Sequence, residues 1–138
     1  MTVLQNYPLV SAVSAWCLAQ VLKLFTGVHS RGSFRQALGA AGGMPSSHSA
    51  TVCALCTATG IREGVSSTPF ALAFVLAMIV MYDAAGVRRA VGEHAKRLNR
   101  LDSEAAAPLK ELVGHTPVQV GAGAALGIAL AAGLQLLY

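Results

Sequence analysis

Charged residues are scarce in this sequence, and their scarcity limits the kind of protein it encodes. Only 12% of the 138 residues are charged, whereas 54% are hydrophobic. A typical soluble domain is roughly 25% charged, so the composition argues against an ordinary soluble protein and favours one that lies in a membrane. The length allows one domain, which we expect to cover residues 1–138.

Aromatic residues and cysteines are also few, which excludes two further classes. Aromatic residues make up 6% of the chain and form no stacking surface beside its basic residues, so the net charge of +4 does not indicate a nucleic-acid partner. Membrane lipids and a phosphate anion fit that charge better. Cys53 and Cys56 have a metal-like spacing, but no second pair follows them, and we expect no metal and no other cofactor.

Long apolar runs are what the sequence does contain. A helix of about 17 to 25 residues crosses a bilayer core, and each run falls within or close to that length. The four runs are residues 8–25, 45–61, 69–87 and 117–138. They predict an all-α fold, a polytopic membrane bundle of about four transmembrane helices.

The third helix is expected to continue beyond the membrane. Apolar residues recur there at helical spacing while charged residues fill the other face, which is the pattern of an amphipathic helix in the membrane interface. The apolar positions are Val87, Ala90, Val91, Ala95, Leu98 and Leu101. A short segment should follow, capped by Asp102 or Ser103 and ended by Gly114.

The basic residues predict the orientation of the bundle. With four spans, the loops after the first and third helices share one side, and all lysines and arginines except Arg62 fall on it. The positive-inside rule places these loops in the cytoplasm, or in the matrix or stroma of an organelle. Both termini should then face the opposite side.

A polar cluster marks the start of the second helix. Residues 42–49 are Gly-Gly-Met-Pro-Ser-Ser-His-Ser, and we expect Pro45 in the first helical turn. The unpaired amides and positive dipole end of such a helix attract an oxyanion, which Ser46 and Ser47 would help to bind. His48 adds a group that moves a proton near neutral pH.

A second histidine, His115, lies just before the last helix. The residues that follow it form a capping box, with Thr116 as N-cap and Gln119 at the third helical position. Because His48 and His115 both lie at helix starts on the same predicted side, we expect them to belong to one site.

Small residues along the last helix predict close packing. Gly123 and Gly127 form a GxxxG step, which lets helix backbones approach each other in lipid. The step serves either the bundle itself or a homo- or hetero-oligomer, and packing within the bundle is the use we favour.

These motifs together resemble a known family. The run Pro45-Ser46-Ser47-His48 is similar to the PSGH motif of the type 2 phosphatidic acid phosphatases and vanadium haloperoxidases, and residues 115–127 are similar to the last motif of that superfamily. Residues 44–49, 82–89 and 109–120 jointly resemble the divergent PAP2 family of small membrane proteins. The likeness spans nearly the whole chain.

The resemblance implies roles for individual residues. His115 would attack phosphorus and become phosphorylated, and His48 would protonate the leaving oxygen. Phosphate oxygens would be bound by residues from three parts of the chain: Lys23, Ser46, Ser47 and either Arg88 or Arg89.

Two positions depart from the superfamily pattern. Ser47 stands where PSGH has glycine, and Gln119 stands where the superfamily has the acidic residue that orients the nucleophile. A neutral amide does not stabilise a charged imidazole as a carboxylate does. Asp83 is the alternative for this orienting role.

The resemblance leaves two functions open. One is a membrane phosphatase, either a phosphatidic acid phosphatase-type phosphomonoesterase or a diphosphatase, that hydrolyses a lipid phosphate or an isoprenoid diphosphate through a phosphohistidine. The other is a catalytically inactive PAP2-like subunit of a larger membrane assembly. The intact histidine pair favours the enzyme, and Gln119 favours the inactive subunit.

Overall fold

A computed structural model describes residues 3–27, 44–101, 108–109, 111 and 114–138. All regular structure in these residues is helical, as the sequence predicts. Five α-helices follow one another: α1 (Tyr7–Gly27), α2 (Ser47–Glu63), α3 (Thr68–Ala85), α4 (Val87–Leu101) and α5 (Pro117–Leu134). Short 3-10 helices, Val3–Gln5 and Gln135–Leu137, lie at the two ends of the described chain.

Hydroxyl side chains cap three of these helices. The Ser67 side chain accepts a hydrogen bond from the Phe70 amide at the start of α3, and Thr116 and Gln119 form the predicted capping box of α5. At α2 the cap is Ser46, whose Oγ accepts from the Ser49 amide at 3.4 Å. Pro45 therefore precedes the cap and does not lie in the first turn. Ser46, the next residue, takes the cap position because its hydroxyl accepts a hydrogen bond from an amide of that turn.

Helix α2 is the centre of the bundle and contacts α1, α3 and α5. It packs closely because alanines line the contact, and Ala50, Ala54 and Ala58 are all fully buried. Gly123 and Gly127 of α5 face this helix. A Cβ atom at Gly127 would lie 2.2 Å from the Ala50 carbonyl oxygen, so the predicted GxxxG step packs within the bundle.

Within the described parts of the chain, three segments are long and apolar enough to cross a membrane: Tyr7–Thr26, Thr68–Leu101 and Pro117–Leu137. Helix α2, predicted as a fourth span, has 17 residues and a row of serines and threonines, and it lies between the other helices. The bundle of about four helices is confirmed, but α2 is the sheltered member and is shorter than its neighbours.

Helix α4 is the predicted amphipathic extension of α3. It begins two residues after α3 ends, with Gly86 at the junction. Asn99 holds the segment that returns toward α5, because its side chain accepts from the Leu109 amide at 2.8 Å and donates to the Leu109 carbonyl at 2.9 Å. The predicted cap at Asp102 or Ser103 lies outside the described residues.

The helices alternate in direction, which creates two distinct ends. The site end contains the C-terminal ends of α1 and α3 and the N-terminal ends of α2 and α5. The opposite end contains Tyr7, Glu63 and Tyr138. Both predicted catalytic histidines lie at the site end, beside α4.

Candidate phosphate site

His115 is buried at the site end and its ring has no hydrogen-bond partner. Its backbone amide donates to the Ala84 carbonyl at 3.1 Å, which ties the residue before α5 to the last turn of α3. The side chain is 1% exposed, and neither Nδ1 nor Nε2 is paired with any described group. Such an unsatisfied buried group costs free energy, so its retention points to a ligand or a chemical role.

Gly114 allows His115 to reach this position. A Cβ atom at Gly114 would lie 2.4 Å from the Arg89 backbone nitrogen and 2.5 Å from the Arg89 Cα. Any side chain there would push the connection away from the first turn of α4. The predicted helix-stopping glycine therefore also permits close backbone contact at the junction of α3 and α4.

His48 faces His115 from the second residue of α2. The two ring centroids lie 6.3 Å apart and the ring planes differ by 59°. His48 is exposed whereas His115 is buried. One imidazole is thus exposed and the other is desolvated.

The start of α2 supplies hydroxyls and amides around these rings. Ser46 donates its amide to the Gln119 carbonyl at 3.1 Å, which joins the first turns of α2 and α5. Ser49 places its Oγ 3.1 Å from the Ser46 Oγ, and all three serines of this turn are buried. Of the first three helical amides, only that of Ser49 has an acceptor among the described residues, so those of Ser47 and His48 remain available to an anion.

Lys23 brings a positive charge to the same place. Its side chain is 7% exposed, and Nζ donates to the Ser47 Oγ at 3.1 Å. No carboxylate among the described residues forms an ion pair with it. A buried ammonium is normally paired with an opposite charge, and a bound phosphate would supply one.

Arg88 and Arg89 differ in their relation to the site. Arg88 is partly buried, and its positive charge lowers the pKa of His115, whereas Arg89 is exposed. The Arg88 Nε donates to the Asp83 Oδ2 at 2.6 Å. Of the two arginines that the resemblance left open, the geometry favours Arg88.

Neither orienting candidate forms a hydrogen bond with His115. Asp83 accepts from Arg88, and the Gln119 Oε1 accepts from the Thr116 amide at 2.9 Å within the capping box. Gln119 lies close enough to the ring to affect its pKa but outside hydrogen-bond geometry. Gln119 occupies the position of the orienting residue in the superfamily, but in this protein its side chain takes part in the capping box of α5.

The surroundings of His115 favour its neutral form. Burial lowers the pKa of His115 below its ordinary value of 6.5, and the positive charge of Lys23 lowers it further. Gln119 raises the pKa by a smaller amount, and His48 and Arg88 lower it. A neutral ring retains the lone pair that a nucleophile requires.

Ser49 also belongs to this cluster, although the sequence motifs predicted no role for it. Its side chain is fully buried and lies beside Ser46. The signal was present in the Ser-Ser-His-Ser run, where a third serine follows the histidine.

No group of three or more metal-binding side chains converges anywhere in the described parts of the chain.

An all-helical membrane bundle with two histidines, buried serines and a buried lysine at one end is the class that this geometry defines. The Divergent PAP2 family matches residues 4–130, and the chain belongs to that family. The chain is 38% identical over 149 aligned positions to the uncharacterized membrane protein YuiD of Bacillus subtilis (strain 168), with 94% of each chain covered. No solved structure matches the chain.

Proposed function

We propose that this protein is a membrane phosphatase that hydrolyses a lipid phosphate or an isoprenoid diphosphate through a phosphohistidine. The observation that carries the proposal is the buried and unpartnered imidazole of His115, next to a buried ammonium and 6.3 Å from a second imidazole. Membership of a phosphatase-related family supports it.

The first step transfers the phosphoryl group to His115. A lone pair on its ring forms the N–P bond while the bond from phosphorus to the ester oxygen breaks. His48, protonated, gives its proton to that oxygen, and the negative charge of the bound phosphate favours the protonated ring. Water then attacks phosphorus, His48 takes up a proton, the N–P bond breaks and phosphate leaves.

The cations and amides stabilise charge during both steps. Lys23 donates to the Ser47 Oγ, and the amides of Ser47 and His48, which have no acceptor among the described residues, belong to the first turn of α2. Arg88 contributes a second positive charge. Preorganised donors of this kind stabilise the oxygens of a phosphoryl group as its bonds change.

We place the site end on the cytoplasmic side, or the matrix or stromal side of an organelle. Among the described basic residues, Arg62 alone lies at the opposite end, whereas the others lie at the site end or on α4. This distribution supports the predicted orientation, and it would place the termini on the opposite side.

Activity assays with histidine variants test the enzyme directly. We expect the purified protein to release phosphate from phosphatidate or a prenyl diphosphate, His115→Ala to abolish turnover, and His48→Ala to lower kcat about 10²–10⁴-fold. His94→Ala is the matched control, because His94 is exposed on α4, and it should retain activity. Turnover that survives loss of both His48 and His115 would refute the mechanism.

The second candidate is an inactive PAP2-like subunit of a membrane assembly. It is favoured by the absence of a carboxylate on His115, since Gln119 is used in the capping box. In that case the wild-type protein would bind inorganic phosphate at the site end without hydrolysing esters. Assembly through Gly123 and Gly127 would require displacing α2, so we expect another face to contact the partner.

A further inference from the structure

We propose that α4 docks on an anionic lipid surface, with its apolar stripe in the membrane interface and its basic side toward the lipid phosphates. The lipids are those of the membrane that the bundle crosses. This inference concerns a surface outside the candidate phosphate site and does not rest on the proposed phosphatase activity.

The apolar stripe of α4 consists of Val87, Val91, Leu98 and Leu101. These side chains recur at intervals of three, four and seven residues, so they share one side of the helix. Their exposed fractions are 55%, 48%, 52% and 85%. No described residue covers the stripe, although a surface of large apolar side chains is unfavourable in water.

The basic side of α4 lies mostly across the helix from this stripe, because at about 3.6 residues per turn only Arg97 borders the stripe. Its four cationic residues are all exposed, and none forms an ion pair with a described carboxylate. They are Arg89, Lys96, Arg97 and Arg100. Glu93 is the single acidic residue of the helix, so the exposed side carries a clear excess of positive charge.

The remaining side of α4 is already occupied by the protein. Gly92 and Ala95 are buried, and Asn99 binds the returning segment at Leu109. The docking surface is therefore the stripe and the basic side alone. Because α4 begins two residues after the membrane-crossing helix α3, it starts at the level where headgroups lie.

Charge complementarity selects anionic lipid as the occupant. A helix that lies in the interface buries its apolar side at the acyl boundary and gains from basic residues near anionic headgroups. A second copy of the chain would bring the same cations against these cations, and like charges repel. A neutral lipid surface would satisfy the stripe but leave the basic side without a partner.

A single-tryptophan probe measures the docking. The chain has one tryptophan, Trp16, so Leu98→Trp in a Trp16→Phe background places one indole on the stripe. The full-length protein is reconstituted into vesicles of phosphatidylcholine alone or mixed with phosphatidylglycerol, each with a fraction of lipid brominated on its acyl chains. We expect stronger quenching of the indole in the anionic vesicles.

Charge variants in the same background separate electrostatic docking from simple apolar contact. Lys96→Gln/Arg97→Gln/Arg100→Gln should lower quenching in anionic vesicles to the level in neutral ones, while Glu93→Gln should raise it. Arg62→Gln, at the opposite end, should have no effect. Raising salt from about 0.01 M to about 1 M shortens the Debye length from roughly 30 Å to 3 Å and should reproduce the triple variant.

Two results would overturn the proposal. Equal quenching in both vesicle types, unaffected by the triple variant, would show that lipid charge plays no part in docking. Weak quenching that changes with the ratio of protein to lipid would show that another copy covers the stripe. Neither result depends on hydrolysis, so the phosphatase proposal is judged separately.

Discussion

Tyr7 and His115, the largest fully buried side chains among the described residues, are paired in opposite ways at the two ends of the bundle. At the opposite end, Tyr7 is 2% exposed and its hydroxyl donates to the Ala131 carbonyl at 2.7 Å, and the hydroxyl of the exposed Tyr138 donates to the Leu4 carbonyl at 2.7 Å. At the site end, both ring nitrogens of His115 are unpaired and Lys23 has no counter-charge among the described groups.

This difference separates stability from function. Paired hydroxyls contribute to stability, whereas an unpaired imidazole and an unpaired ammonium lower it. The contrast predicts that similar substitutions at the two ends change stability with opposite signs.

The largest effect is expected from Gly123→Ala. A Cβ atom there would lie 2.3 Å from the Ser46 carbonyl oxygen, so α5 must shift away from the start of α2. Overpacking of this kind costs about 1–3 kcal/mol, which unfolding in mixed micelles would measure. Gly121→Ala is the control, because the added atom would meet nothing within 4 Å; equal stability of the two variants would contradict the close approach.

A smaller loss is expected from Tyr7→Phe at the opposite end. The change removes a buried hydrogen bond to Ala131 and should lower the free energy of unfolding by about 1 kcal/mol. Tyr138→Phe removes a similar bond at an exposed position and should cost less. The same unfolding assay compares the two, and a larger loss at Tyr138 would reverse our ranking.

His115→Leu is the matching change at the site end, with the opposite sign. No hydrogen bond of the ring is lost, and a desolvated polar group is replaced by an apolar one. We expect the free energy of unfolding to rise by roughly 1 kcal/mol while hydrolysis disappears. A loss of stability as large as that of Tyr7→Phe would show that the ring is paired in the folded protein.

The smallest effect is a dependence of stability on pH. Because burial and Lys23 lower the pKa of His115 in the folded state, the unfolded chain binds a proton first as the pH falls below about 6.5. Stability should therefore decrease from that pH down to the lowered pKa. The difference between wild type and His115→Leu, measured from about pH 5 to about pH 8, isolates this contribution.

Local sequence patterns predicted the helices, the α5 capping box and the amphipathic nature of α4. These features depend on residues three or four positions apart, and the Thr116–Gln119 pair is an example. The GxxxG step was also predictable, since small residues in an apolar helix have few other uses. Both histidines are conspicuous in the sequence because each lies close to a helix start, and the structure places their ring centroids 6.3 Å apart.

Contacts between helices were not predictable in the same way. The sequence does not distinguish Arg88 from Arg89 as the arginine nearer to the two histidines, because that depends on which side of α4 faces them. It left Asp83 open as a partner of His115, whereas the carboxylate pairs with Arg88. The sequence predicts Pro45 in the first turn of α2, whereas it precedes the Ser46 cap and the helix begins at Ser47.

Main-chain atoms hold the two imidazoles at their spacing. The Ser46 amide binds the Gln119 carbonyl, and the His115 amide binds the Ala84 carbonyl. Replacing either imidazole removes neither link, because the side chains of His48 and His115 take no part in them. The side chains at the site end can therefore change without loss of the main-chain contacts that set the position of the two helix starts.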